Sequence, residues 1–348
     1  MVTILLTGVG SPGTQGTIYS IKNVYRGVVR VIGTDIKNCA GKYLCDRFYK
    51  VPKADDKYYI SNIKDIYFKE GCNLVVPQTT KETEILSSRK KELEKIKIKI
   101  LVNDPEVISV VNNKLNLMEK LRENNFDVPE FNLSRNKDEL KSIALMMGYP
   151  KKIIAVKPSD GNGMRGFRLL DVISDYDYFN EKPGHRISLE ELYRILPNKL
   201  EFEKPVMLME YLPGKEWSVD CFKTEERECI VVRERVETRT GISFISKIEH
   251  NHHIEKKTRE IIEIIGLKGI FGLQFKENEY GDAMILECNP RVQGTMVAST
   301  MFGSNLIWYA IADKLKMKYT FKPAHSFINN NNMFYRFFSG VCGNGESL

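Results

Sequence analysis

The chain is poor in tryptophan, with two, and in histidine, with five, and its seven cysteines include no CxxC pair. Cys39, Cys45, Cys72, Cys221, Cys229, Cys288 and Cys342 fall at no repeated interval. That scatter excludes a disulfide framework and leads us to expect reduced thiols in a cytoplasmic compartment. No apolar run approaches the ~20 residues of a membrane span, so no membrane partner is expected. The opening Met1-Val2-Thr3-Ile4-Leu5-Leu6-Thr7 has no basic stretch before its short apolar run and reads as a buried first strand rather than a leader. Charge of one sign is scarce as well: 52 basic residues face 45 acidic ones, a balance of +7. So mild an excess does not imply nucleic acid, although it suits a small anionic ligand.

What remains is a globular composition, 42% hydrophobic and 28% charged, on 348 residues. The length exceeds the ~250–300 residues at which one core stops growing, so two or three packed domains are expected. Residues 2–7, 28–34, 74–76 and 98–102 read as short apolar strands, with helices over 17–24 and 87–95, the alternation of a doubly wound parallel sheet. Asp104-Pro105-Glu106 is a helix start, with a cap, a proline in the first turn and an acid. Further helices are expected over 114–124, over 137–147 and after the capping box Ser188-Leu189-Glu190-Glu191. From residue 206 the pattern turns β-rich, with strands at 206–210, 217–222, 230–235, 271–276 and 283–288. Helices interrupt it at 254–265 and 305–314, an edge strand is expected over 333–338, and the tail beyond reads as loose.

Two glycine-rich loops stand out. Gly8-Val9-Gly10-Ser11-Pro12-Gly13 follows the first strand and fits G-x-G-x-x-G, with Asp35 closing the second strand. This is the dinucleotide fingerprint, but it also fits a tight strand-to-helix turn that merely needs small residues, or a substrate loop in the same place. The second loop follows a strand ending in Lys157 and holds Gly161, Gly163, Arg165 and Gly166. Glycines let backbone N–H groups approach phosphate oxygens, and a lysine adds a point charge. The loop lacks the G-K-[ST] ending of a P-loop, and a plain surface hairpin is its bland alternative.

Downstream, Met209-Glu210-Tyr211-Leu212-Pro213-Gly214-Lys215-Glu216 is an apolar strand end, a bend and a second acid. A backbone bend of this kind can pair with an adenine edge and an acid with ribose hydroxyls; two solvated glutamates on a hairpin is the alternative. Gln274 precedes Glu287-Cys288-Asn289-Pro290-Arg291, where strand alternation sets Gln274, Glu287 and Asn289 to offer oxygens from one face. Hard oxygens suit Mg²⁺, and an arginine beside them can neutralise a phosphoryl group. His250, His252 and His253 fit no zinc spacing and read as exposed loop histidines.

In this order the parts resemble the ATP-grasp superfamily, and within it the branch like the carbamoyl phosphate synthase large subunit, over residues 2–315. The resemblance implies an α/β fold, α+β in its second half. A doubly wound pre-ATP-grasp domain (1–112) would precede a two-lobed ATP-grasp domain, with a small lobe (113–205), a large lobe (206–322) and an edge strand and tail (323–348). It further implies that Lys114 and Lys157 hold the ATP phosphates and that residues 161–166 (Gly161, Gly163, Arg165 and Gly166) close over them. By the same resemblance Glu210, Tyr211 and Leu212 contact adenine and Glu216 the ribose. Gln274, Glu287 and Asn289 would ligate Mg²⁺ or Mn²⁺, and Arg291 would face the transferred phosphoryl. Arg233-Glu234-Arg235 and the turn before Ser243 resemble the strand and loop at that branch's acyl-phosphate site, which makes Arg233 a catalytic candidate with Arg291 and Lys157; for Arg235 an outward ion pair is the alternative.

The implied activity is an ATP-dependent ligase that makes an acyl phosphate from a small carboxylate and joins it to an amine or ammonia. One ATP-grasp unit and no glutaminase-like segment are seen, so a carboxylate–amine ligase is favoured over a synthase fragment acting on bicarbonate. A non-catalytic nucleotide module and a nicotinamide enzyme are the alternatives of other classes. A homodimer is the expected assembly by resemblance.

Overall fold

The computed structural model describes residues 1–23, 29–159, 166–172, 186–197, 201–239, 241–326, 328, 332–337 and 339–341. Its chain groups into two compact units. One comprises Met1–Asn112, Glu216–Phe275 and Leu286–Leu348, the other Asn113–Lys215 and Lys276–Ile285.

The first unit begins with β1 (Val2–Thr7), α1 (Thr14–Lys22), β2 (Val29–Asp35), β3 (Arg47–Lys50), α2 (Tyr59–Lys69), β4 (Leu74–Pro77), α3 (Thr80–Ser88), α4 (Lys90–Lys95) and α5 (Pro105–Val111). The strands form a parallel sheet in the order β3-β2-β1-β4. Strands β1, β2 and β4 are buried on both faces along most of their length, the usual state of a parallel sheet, while the edge strand β3 is only partly covered. Ile4 and Leu6 face one apolar cluster while Leu5 faces another, which α2 and α3 complete. The order reverses between β1 and β4, where Thr7 pairs with Thr34 on one side and Pro77 on the other. The first glycine loop leaves the sheet at this reversal, where ligands of such sheets bind.

Two expected elements take other forms. Residues 87–95 do not make one helix: Arg89 (φ −102°, ψ 6°) separates α3 from α4. Residues 98–102 give a single bridge, Val75 to Ile100, instead of a ladder.

The second unit runs through α6 (Lys114–Glu123), β5 (Phe131–Ser134), α7 (Lys137–Met146), β6 (Ile154–Pro158), β7 (Arg168–Leu170), β8 (Arg186–Ile187), α8 (Leu189–Ile195) and β9 (Val206–Glu210). Its five-stranded sheet has the order β5-β9-β6-β7-β8. Leu140 and Ala144 of α7 and Leu192 of α8 pack with Ile154, Val156 and Leu208 of that sheet. Because β9 hydrogen-bonds to both β5 and β6, the boundary expected at 205/206 is corrected to follow Lys215.

The first unit resumes with β10 (Glu216–Lys223), β11 (Glu228–Arg239), β12 (Ile242–Glu249), α9 (His252–Ile265), β13 (Gly269–Glu277) and β14 (Ala283–Asn289). It ends with α10 (Val297–Met301), α11 (Leu306–Leu315) and the edge strand β15 (Asn332–Tyr335). Its second sheet has the order β14-β13-β10-β11-β12-β15. One cluster joins Ile4, Leu6, Val31 and Val76 of the N-terminal sheet to Phe222, Val231, Ile248 and the buried residues 306–312 of α11. One face of the parallel sheet is thus covered by elements from the far end of the chain, which share one compact unit with Met1–Asn112.

Candidate active site

In the second unit Lys157 lies on β6, only 8% exposed, with Nζ 3.8 Å from Met209 Sδ. Lys114 is half-buried at the first position of α6, whose N-cap Asn113 accepts from the N–H groups of Leu115 and Asn116. Both basic side chains thus sit on regular elements. Gly161, Gly163 and Arg165 lie outside the described residues. Gly166 has φ +72°, and a Cβ there would stand 2.7 Å from the Pro158 ring, so the loop's last glycine rests on the strand end that carries Lys157.

Glu210 ends β9, with its N–H bonded to Glu130 O at 2.9 Å. Its Oε1 is buried without a partner, and burial, with Glu130 and Glu279 nearby, raises its pKa above the ordinary 4.5. The bend that follows is clamped on Glu277: Gly214 N donates to its carbonyl (3.1 Å) and Lys215 N to its Oε2 (3.1 Å). Leu212 is buried and Tyr211 half-buried over Lys276.

In the first unit, Glu287 and Asn289 project from one side of β14, as residues two apart on a strand must. Asn289 Nδ2 donates to Glu287 Oε1 (3.0 Å), and Arg291 Nη2 donates to Asn289 Oδ1 (3.2 Å). Carboxylate, amide and guanidinium are thereby linked in series. Arg291 Nη1 also donates to Val292 O at 3.1 Å, while its Nε is buried without a partner. Burial lowers the Arg291 pKa, against the opposing pull of Glu287, but an arginine so shifted remains charged. Gln274 is half-buried on the adjacent β13.

This oxygen set has one formal charge. Among the described residues no group of three or more His, Cys, Asp or Glu side chains is gathered to hold a metal. One carboxylate and two amides fit a Mg²⁺ that arrives with phosphate oxygens, and do not make a stand-alone cage.

Glu216 opens β10 and pairs with Arg235, whose side chain is 4% exposed. Arg235 also donates through Nε to Ser243 Oγ (3.0 Å) and through Nη2 to Gly241 O (2.6 Å). The ion pair expected to point outward is therefore buried at its arginine end and holds Glu216 in place.

Arg233 needs correction. Its side chain has no exposed surface, and it grips Asp220 with Nε and Nη2 at 2.8 and 2.7 Å. A guanidinium sealed in this way cannot touch a substrate. His252 and His253 are corrected as well: they occupy the first turn of α9, capped by Asn251, and His252 is 92% exposed on its side chain.

The first glycine loop is filled by protein. Asp35 Oδ2 accepts from Gly10 N at 2.7 Å and its Oδ1 from Lys37 N at 3.4 Å, so the fingerprint acid caps its own loop. A Cβ on Gly13 would lie 2.7 Å from Gly294 Cα, and one on Gly16 2.7 Å from Val297 Cβ. Arg336, missed in the sequence, donates through Nη2 to Pro12 O, and its Nη1 is a buried donor without a partner. A single arginine after an edge strand carries no local signal; only the fold brings it to this loop.

Comparison with known proteins bears on the family. Residues 202–332 match the family "ATP-grasp in the biosynthetic pathway with Ter operon" and residues 4–101 match "PylC-like, N-terminal domain". These two stretches are thus similar to an ATP-grasp domain and to a PylC-like N-terminal domain. It is 26% identical over 290 residues to the carbamoyl phosphate synthase large chain of Thermoanaerobacter pseudethanolicus, a match covering 78% of this chain and 24% of that one. The chain thus spans about a quarter of the length of that relative. An uncharacterized protein of Methanocaldococcus jannaschii is 25% identical over 283 residues, covering 76% of this chain and 66% of its own. Solved structures share the fold. N5-carboxyaminoimidazole synthetase from Staphylococcus aureus, complexed with ADP, has a TM-score of 0.68 at 17% identity, over 92% of this chain and 78% of its own. The biotin carboxylase domain of the Hydrogenobacter thermophilus 2-oxoglutarate carboxylase, with MgADP, ADP and bicarbonate, has a TM-score of 0.70 at 17% identity over 95% and 73%. No helix among the described residues is long and apolar enough to cross a membrane.

Proposed function

We propose that this chain is an ADP-forming ligase that activates a small carboxylate as an acyl phosphate and joins it to an amine or ammonia. The observation that carries the reading is the series Glu287–Asn289–Arg291, a carboxylate, an amide and a guanidinium hydrogen-bonded along one strand end. Such a series prepares a place for a phosphate-bound cation beside a fixed positive charge. Lys114 and Lys157 hold the ATP phosphates, Glu210 with the 211–212 backbone holds adenine, and Glu216, braced by Arg235, holds the ribose. Gln274, Glu287 and Asn289 hold Mg²⁺, which when bound neutralises phosphate charge. Arg291 meets the transferred phosphoryl group. A substrate carboxylate oxygen attacks the γ-phosphorus, ADP leaves, and the amine then displaces phosphate from the acyl carbon. A carboxylate is a weak nucleophile, so the rate comes from positioning and charge neutralisation.

ADP release tests the reading, screened with pools of carboxylates and amines and, separately, with bicarbonate and ammonia. Release that needs both a carboxylate and an amine supports it, bicarbonate-dependent release favours a synthase-like reaction, and none with any pool contradicts it.

Glu210 supplies a pH signature. Its pKa is raised, so its carboxylate is lost as pH falls through a value above the ordinary one. Only the ionised form leaves Oε1 as a charged acceptor for the adenine amine. Titrating a fluorescent ADP analogue from about pH 7.5 to 5 should show affinity falling in the wild type and a flat profile in Glu210→Gln. Parallel profiles would remove Glu210 from the adenine site.

A further inference from the structure

The glycines of the first loop, whose pattern suggested a dinucleotide, press instead on the segment that carries Arg291. We infer that Gly13, together with the buried Asp220–Arg233 pair and Thr295, positions Arg291 for phosphoryl transfer. The inference rests on the ligase reading of Arg291.

Five contacts hold residues 293–300. Gly13 lies so close to Gly294 that an added Cβ would stand 2.7 Å from its Cα and 3.2 Å from its carbonyl oxygen. Gln293 lies across Gly272, where an added Cβ would stand 1.6 Å from Nε2. Thr295 Oγ1 accepts from Arg233 Nη1 at 3.0 Å, and Ser299 Oγ donates to Asp220 Oδ2 at 2.7 Å. Ser20 of α1 meets Thr300 hydroxyl to hydroxyl at 2.8 Å.

The ion pair is the telling part. Asp220 and Arg233 reach each other diagonally across β10 and β11, with no exposed surface on either side chain. A pair so buried gives back in attraction little more than its desolvation costs, and apolar residues of equal volume would hold the two strands as well. What apolar residues cannot do is bond outward. Each member of this pair spends a bond on the Arg291 segment, Arg233 on Thr295 and Asp220 on Ser299. A two-point charge clamp has one geometry, so it fixes that segment against the sheet. The glycine contact fixes it from the N-terminal loop. An arginine acting on a phosphoryl group needs such support, because a displacement of about 1 Å at the reacting centre can cost 10²-fold.

Thr295→Val keeps the shape and removes the acceptor; Thr295→Ser keeps the acceptor; Gly13→Ala drives a methyl into Gly294. For each full chain, kcat for ADP formation and the dissociation constant of ADP with Mg²⁺ are measured, with near-ultraviolet circular dichroism to report packing. We expect Thr295→Val and Gly13→Ala to lose about tenfold or more in kcat with ADP affinity and packing unchanged, and Thr295→Ser to restore the rate. If Gly13→Ala does not fold, the two Thr295 variants decide alone. The inference is overturned if Thr295→Val turns over like the wild type. It is overturned equally if rate, affinity and packing fall together, or if Thr295→Ser fails to restore the rate. A wild type without ATP turnover on any carboxylate overturns the ligase reading, and the inference falls with it; a wild type that turns over while Thr295→Val matches it overturns the inference alone.

Discussion

Arg291→Ala should lower kcat by about 10³-fold or more while ADP still binds, because the group removed acts on charge that develops at the phosphoryl in transit. The wild-type side chain is held by Asn289 Oδ1 and by its neighbour's carbonyl, with burial excluding water from Nε. In a poorly hydrated site a fixed cation acts at greater strength than in water. On the proposed roles the ground state should depend on it less, since Lys114, Lys157 and the adenine bend would also grip ATP. Single-turnover rates and ADP titration separate the two effects. A variant that turns over within a few-fold of wild type would remove Arg291 from the chemistry. Arg291→Lys should recover little, since an ammonium has no second arm to reach both Asn289 and phosphate.

Lys157→Met is the second large effect, and it should appear in ATP use as a whole. The residue is only 8% exposed, with its ammonium beside the Met209 sulfur, and a methionine is of similar length. The change removes charge with little change in volume. We expect kcat/KM for ATP to fall about 10²- to 10³-fold, with a thermal midpoint close to wild type. A midpoint that falls with activity would mean that Lys157 serves the fold; unchanged kcat/KM would mean that the phosphates lie elsewhere.

Much of this site was legible in the sequence because its pieces are local. Glu287, Asn289 and Arg291 share a strand end, and the two-residue period puts the first two on one side without help from the rest of the fold. The strands β1, β2 and β6 were equally plain as apolar runs, closed by a glycine, an acid and a lysine in turn. The pieces that failed are those whose meaning comes from distant partners. Arg233 reads like any arginine on a strand until Asp220 is found diagonally across on β10, and its surroundings include Thr295 and Ser299 on a later segment. The first glycine loop misleads for the same reason. A loop that must clear a pyrophosphate and a loop that must clear Gly294 need the same small residues. Asp35 is no better a guide, since the acid that would take a ribose hydroxyl here takes Gly10 N–H. The start of α9 was within reach: Asn251 accepts from Ile254 N as a cap, which puts both following histidines on the helix.

The origin of the phosphate oxygen tests the central claim most directly. Once the screen has named an active carboxylate, it is supplied with both oxygens as ¹⁸O, and the phosphate released during ligation is examined by mass. If the carboxylate attacks the γ-phosphorus and the amine then breaks the acyl carbon–oxygen bond, each phosphate released carries one ¹⁸O from the substrate. Phosphate without substrate oxygen would contradict the acyl-phosphate route, and with it the roles given to Arg291, Lys157 and the Glu287–Asn289 pair.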